Sequence, residues 1–216
     1  MVDFNRLIRD GMQNTPVASS SYVELPDDFI PLTGTKVKDY RPFKDYLIKR
    51  GFGPAYWKKY NLGTSVKQGC RVIIPIEFTY WQGRSIYNFV TPKYINPPNP
   101  SKIAIFNSKA LDVYDEVVVA EGAFSAMAVG DNAIALIGKE APPEKMNRLL
   151  ASNPDTFIIA LEPDAFGTMQ KVADTLAAYG KEVVLWKYSK GDPAEQGSTF
   201  EEIQYGFKAK LSLLMG

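Results

Sequence analysis

Residues 116–187 read EVVVAEGAFSAMAVGDNAIALIGKEAPPEKMNRLLASNPDTFIIALEPDAFGTMQKVADTLAAYGKEVVLWK. Four short apolar runs punctuate this stretch: EVVVA (116–120), AIALIG (133–138), TFIIAL (156–161) and EVVLWK (182–187). Each is rich in β-branched residues and too brief for a helix. Their apolar residues run on without alternating, as strands buried on both faces require. Between them lie helical segments with their own stop signals. AFSAMAVG closes at Gly130, PPEKMNRLLAS carries Pro in its first turn, and MQKVADTLAAYG closes at Gly180. Strand–helix alternation of this kind predicts an α/β fold, a parallel sheet with helices on both faces.

Two of these strands run into acid. VVVA leads to Glu121-Gly122 and FIIAL to Glu162-Pro163-Asp164, while Asp192 follows the fourth strand in SKGDPAE. Ligands of parallel α/β sheets bind at the carboxyl ends of the strands. An acid–x–acid pair on extended backbone turns both carboxylates to one side, and a neighbouring strand brings Glu121 beside that pair. Clustered carboxylates repel one another unless a cation sits among them, and all-oxygen ligation selects magnesium or manganese. Such ions serve phosphoryl transfer. The plainer alternative is that acids after strands are ordinary turn residues.

Upstream the pattern differs. Residues 1–35, with Pro16, the Ser19–Ser21 run, Pro26, Pro31 and Gly34, read as an arm or linker with a short helix near Phe4–Arg9. Residues 36–115 read as a basic subdomain of helices and a hairpin, 116–197 as the α/β domain, and 198–216 as a C-terminal helical extension. Within the basic part, RPFKDYLIKR (41–50) predicts a helix with Phe43, Leu47 and Ile48 on one face, and PAYWKKYNL a second. RVIIPIEF (71–78) and RSIYNFV (84–90) predict two strands joined by a turn at Gln82-Gly83, followed by a Pro-rich loop.

Formal net charge is only +1, yet residues 1–116 carry 16 Lys and Arg against 11 acids, and 117–216 carry 9 against 13. From Lys36 to Arg71 the count is 10 basic to 2 acidic, with Tyr40, Phe43, Tyr46, Phe52, Tyr56, Trp57 and Tyr60 interleaved. A basic groove with stacking aromatics suits single-stranded nucleic acid; solvated lysines on amphipathic helices give the same pattern. The composition also excludes. At 45% hydrophobic residues the chain is not disordered. One cysteine and no histidine exclude an internal disulfide, a self-contained zinc ribbon and His-based acid–base chemistry. The first residues are too polar for a signal peptide and no run is long enough to span a membrane, so a cytoplasmic location is expected.

The ordered series VVVAEGAFSAMAVG…AIALIG…FIIALEPDAFG…KGDPAE resembles the Toprim domain shared by DnaG-type primases, topoisomerases and some nucleases. The preceding RGFGPAYWKKYNLG and RVIIPIEFTYWQGRSIYNFVTPKYINPPNPSKIAIFNSKAL are similar to the basic subdomain of primases, with spacing most similar to tailed-phage primases. The resemblance covers residues 41–197. It implies a primase catalytic core that makes short RNA primers on a single-stranded DNA template from ribonucleoside triphosphates. Its zinc-binding module would come from a separate protein, alongside a replicative helicase, in the host cytoplasm if phage-encoded.

Carried over residue by residue, Glu121 is a metal ligand or general acid/base, Glu162 and Asp164 take the place of the family's Asp-x-Asp, and Asp192 that of a later acidic metal site. Arg71, Arg84, Lys93 and, more loosely, Lys109 match residues that handle nucleotide phosphates or template; taken singly, each is expected to face solvent. The chain departs from the pattern at Glu162 (usually Asp), at Ser125 and Ala194 (often acids), and at Phe89-Val90-Thr91, where the family's hairpin ends in basic residues. It also lacks a Walker A motif. Two other readings use the same residues: a Toprim nuclease, and a weakened primase-like subunit that binds nucleic acid or a replication partner.

Overall fold

The computed structural model describes residues 24–34, 40–78, 80–97, 102–138, 141–161 and 166–187. The described residues of the first half build an antiparallel sheet in the order β1-β2-β3-β4-β5, made of β1 (Ile30–Pro31), β2 (Gly63–Ser65), β3 (Arg71–Glu77), β4 (Tyr80–Ser85) and β5 (Tyr94–Ile95). Two helices precede β2. In α1 (Arg41–Lys49), Phe43 and Leu47 are buried, one turn apart. Ile48 is 56% exposed, because it lies five positions from Phe43 and so points away from that stripe. In α2 (Pro54–Lys59), Trp57 is buried and its indole N–H donates to the Phe52 carbonyl at 2.7 Å.

The hairpin differs from expectation. The chain reverses at Phe78, in the left-handed region at φ 56°, and Glu77 pairs with Tyr80. Gln82 and Gly83 are mid-strand, opposite Ile74 and Ile73, and β4 ends at Ser85. Gly83 is there for close approach: a Cβ would meet Ile95 Cγ1 at 2.9 Å and both Arg71 Cδ and Trp81 Cζ3 at 3.2 Å. Glycine inside a strand marks a turn or a crowded neighbour, and here it is the neighbour. Part of the Pro-rich loop supplies that neighbour as β5, pairing Ile95 with Gly83 and Tyr94 with Arg84. Part of the segment read as an arm enters the fold as edge strand β1, where Pro31 is tolerated. The Asp28 carboxylate pins it by accepting from Ser65 Oγ at 2.5 Å and the Lys67 N–H at 2.8 Å.

After α3 (Ala110–Val113) comes the parallel sheet: β6 (Glu116–Ala120), α4 (Ala123–Val129), β7 (Ala133–Ala135), α5 (Pro143–Ala151), β8 (Thr156–Leu161), α6 (Phe166–Ala178) and β9 (Glu182–Lys187). The strand order is β7-β6-β8-β9, all parallel. β7 is shorter than the apolar run predicts, ending before Ile137, whose φ is 56°. Strand periodicity sorts the side chains. Val118, Ala120, Ile158 and Ala160 pack with Phe124 and Met127 of α4 and with Phe52, Leu62 and Val72 of the basic part. Val117, Val119, Phe157 and Ile159 pack with Leu149 of α5 and Val172 and Leu176 of α6. The mixed α/β fold with a helix-covered parallel sheet is thus as expected. Full burial of each Val, Ile, Leu, Phe or Met side chain among them contributes about 1.5–3 kcal/mol.

The first of those cores runs through both parts of the chain. Phe52 stacks on Phe124 at 5.1 Å between ring centroids. Glu77, at the end of β3, accepts the Ile105 N–H at 2.7 Å and Ser108 Oγ at 2.6 Å, and is clamped by the Arg148 guanidinium of α5. Lys59 pairs with Asp131, and Asn107 Nδ2 donates to the Asp131 and Ala133 carbonyls at 2.8 Å. The expected helix near Phe4–Arg9 and the 198–216 extension lie outside the described residues.

Candidate catalytic and nucleic-acid site

The strand order fixes where a ligand binds. From β6 the chain turns through α4 to β7 on one side; from β8 it turns through α6 to β9 on the other. The connections therefore diverge at the carboxyl ends of β6 and β8, which is the crevice where open α/β sheets hold ligands. Glu121 stands there, half-buried, directly after Ala120. Its carbonyl accepts the Gly138 N–H at 3.2 Å, which ties the loop after β7 to the same edge. Gly122, extended at φ −115°, leads into α4.

The pairing of Val119 with Ile159 brings the end of β8 level with that of β6, and β8 finishes at Leu161, the residue before Glu162. Glu162, Asp164 and Asp192 lie outside the described residues, as does Ala194. Among the described residues no group of three or more His, Cys, Asp or Glu side chains gathers as a metal site. Ser125 is buried inside α4.

The cationic residues separate into two kinds. Lys93 and Lys109 are exposed, the latter at the start of α3. Arg71 and Arg84 are only 3% and 4% exposed, so neither faces solvent as expected. Arg71 is consumed by backbone: its Nη1 donates to the Gln68 and Gly69 carbonyls at 3.1 and 3.3 Å, and its Nη2 to the Pro92 carbonyl. That geometry braces the loop after β4. Arg84 lies over the Tyr94 ring at 4.6 Å and donates from Nε to the Tyr46 hydroxyl at 3.0 Å.

Arg50, which sequence reading did not single out, lies over the rings of Tyr46 and Phe124 at 5.8 and 5.1 Å. Arg84, Tyr46 and Arg50 therefore form a continuous path to Phe124, three residues after Glu121. The N–H groups of Arg84 Nη1 and Arg50 Nε are buried and donate to no acceptor among the described residues. The signal for Arg50 was its place at the end of a helix whose apolar stripe is Phe43 and Leu47, but its ring partners are nonlocal.

The aromatics of the basic segment are not the stacking platform expected. Phe43, Phe52 and Trp57 are buried, and Tyr40, Tyr46, Tyr56 and Tyr60 pack against the same core, Tyr60 on Phe106 at 5.1 Å. Exposed rings lie elsewhere, at Tyr87, Phe89, Tyr94 and Tyr179; of these Tyr87 and Phe89, in the loop between β4 and β5, stack on each other with centroids 5.2 Å apart and planes 21° off parallel.

Taken together, the fold is an antiparallel basic unit fused to a parallel α/β sheet, and it is similar to that of a solved primase. A solved structure of the Aquifex aeolicus primase, containing its zinc-binding and RNA polymerase domains, superposes with a TM-score of 0.59 at 21% identity, over 85% of this chain and 56% of that one. The present chain thus spans little more than half of that structure. No protein-family model matches the sequence, and no curated protein sequence matches it. No helix among the described residues is long and apolar enough to cross a membrane.

Proposed function

We propose that this chain is the Toprim-type catalytic core of a DNA primase, of the compact kind its sequence resembles in tailed phages. It joins ribonucleotides into short primers on single-stranded DNA. One observation carries the reading: an acidic side chain, Glu121, stands at the crevice where the β6 and β8 connections diverge, in a primase-like fold. The sequence supplies Glu162 and Asp164 directly after β8, and Asp192 after β9.

Four carboxylates, with no histidine or thiolate among them, are hard oxygen donors suited to magnesium or manganese. The half-buried position of Glu121 fits that role, since a carboxylate withdrawn from water gains most from a cation. Glu121, Glu162, Asp164 and Asp192 would hold the ions, which stabilise charge on the phosphoryl oxygens. In the reaction a 3′-hydroxyl attacks an α-phosphate, a P–O bond forms and pyrophosphate leaves. Glu121 orients the attacking group and takes up its proton. Arg84 and Arg50 line the approach with guanidinium charge, and Lys93 and Lys109 hold phosphates from the surface. Arg71 acts at one remove, by fixing the loop that carries Lys93. A zinc-binding module for template choice and a replicative helicase are the partners this reading calls for.

The test is primer synthesis with magnesium or manganese, with and without zinc-module proteins. Glu121→Gln keeps the shape and removes the charge, and lowers the rate by a factor on the order of 100 or more with DNA affinity retained. Glu162→Asp keeps or raises activity. Wild type and Glu162→Asp both failing to extend primers, with every partner and metal supplied, would replace the polymerase with a non-catalytic nucleic-acid-binding subunit. Strand cutting in the same mixtures would replace it with a nuclease.

A further inference from the structure

We infer that Tyr87 and Phe89 form a base-stacking platform for the single-stranded DNA on which the proposed primase acts; the inference rests on that reading and extends it to a surface outside the acidic crevice. Phe89 is 82% exposed, the most exposed large hydrophobic side chain among the described residues, and one face of its ring is already occupied by Tyr87. Water-facing phenyl rings are costly, and a pair held parallel leaves an outer face the size of a nucleobase.

The loop that carries the pair is braced, so this exposure is built in. Its neck closes where the Ser85 N–H donates to the Lys93 carbonyl at 3.0 Å. Ser85 Oγ donates to the Tyr87 carbonyl at 3.0 Å and accepts the Tyr87 N–H at 3.2 Å. The buried Arg71 holds Pro92 from beneath. A preformed platform binds a base without first having to order its own rings.

Charge decides what covers it. Residues 78–111 contain no Asp or Glu, and of their four cations Lys93, Lys102 and Lys109 are exposed while Arg84 is buried. An exposed apolar pair inside a stretch with cations only is matched to a polyanion that also offers flat apolar faces, and single-stranded DNA does both. Phe89-Val90-Thr91 stand where the resemblance leads one to expect basic residues. On this inference stacking takes over affinity that phosphate contacts would otherwise supply.

The experiment measures binding of a single-stranded oligodeoxynucleotide carrying 2-aminopurine, by anisotropy and by quenching of the base fluorescence, across a salt series. Phe89→Leu keeps an apolar side chain and removes the ring. It should weaken binding by about fivefold or more and relieve the quenching. Phe89→Trp should keep both. The salt slope should be the same in wild type and Phe89→Leu, whereas Lys93→Ala should lower it by about one. Because Phe89 is on the surface, circular dichroism of the variants should match wild type. Wild-type affinity and quenching in Phe89→Leu would overturn the platform while leaving the primase reading intact. Weakened binding with unrelieved quenching would also overturn it, since the ring would then act through the loop's shape. Absence of any single-stranded DNA binding by the wild type would remove the primase reading, and the platform with it.

Discussion

Lys145 shows how a single side chain couples the fold to pH. It lies on α5, only 5% exposed, with its ammonium donating to the Leu136 carbonyl. Burial pushes its pKa from 10.5 down to about 8; the Glu77 carboxylate pulls it back up and the Arg148 guanidinium adds to the depression. Between about pH 8 and 10.5 the unfolded chain keeps this proton while the folded chain releases it. Stability from this group is therefore present above that window and lost as pH falls through about 8. Wild type should gain about 2 kcal/mol relative to Lys145→Met between roughly pH 7.5 and 9.5, read from urea unfolding at the two pH values. A constant difference between the two proteins would show that Lys145 keeps its proton in the fold. Arg71 is the counterpart among residues expected to meet substrate. Its motif position was visible in sequence, but its role as a brace follows from joining two local carbonyls, Gln68 and Gly69, to the Pro92 carbonyl 21 residues away.

At the scale of elements, the β3–β4 hairpin and its neighbour β5 explain why local signals misplaced a turn. Gly83 is flanked by residues that read well as a strand, so local signals point to a reversal at the glycine. The reversal comes at Phe78 instead, and the glycine answers to Ile95, 12 residues away in sequence. Adding one methyl there overpacks the β4–β5 contact, and Gly83→Ala should cost about 1–3 kcal/mol. Gly122→Ala is the control, since nothing lies within 4 Å of a Cβ built at Gly122 and its φ is −115°. Thermal melts of the two variants should separate, with Gly83→Ala lower. Equal melting temperatures would mean that β5 moves aside at no cost. In the second half the sequence was a better guide. Each parallel strand is flanked by helices close to it in sequence, and strand burial on both faces leaves a continuous apolar run that nothing local imitates.

Across the whole molecule, the two sheets are joined by an apolar core and by charged clamps around it. Glu77 is the main one: one carboxylate is met by a backbone N–H, a serine hydroxyl and the Arg148 guanidinium, and Arg148 Nη1 also donates to the Ile103 carbonyl. Hydrogen bonds to charged groups contribute about 1.5–3 kcal/mol, and a double-mutant cycle of Glu77→Gln and Arg148→Met should return a coupling in that range. A coupling near zero would mean that the apolar contacts around Phe52 and Phe124 hold the sheets together unaided. The same clamp fixes how the basic sheet meets the parallel one, and so how the cationic path through Arg84 and Arg50 approaches Glu121.

What the sequence determined by itself was the parallel sheet and the acidic residues that follow its strands, because both depend on periodicity and order within a short window. Runs such as EVVVA and TFIIAL carry their burial in their composition, and Glu121 is at a strand's end whatever packs around it. Tertiary structure alone decided the rest. It settled that Arg71 braces while Lys93 stays free to solvent, and that the aromatics of 40–60 form core while Tyr87 and Phe89 remain outside. It also settled that Glu77, unremarkable in a strand, clamps two sheets. A side chain's charge or ring is written in one residue, but its partner is supplied by chain tens of residues away, and only folding brings the two together.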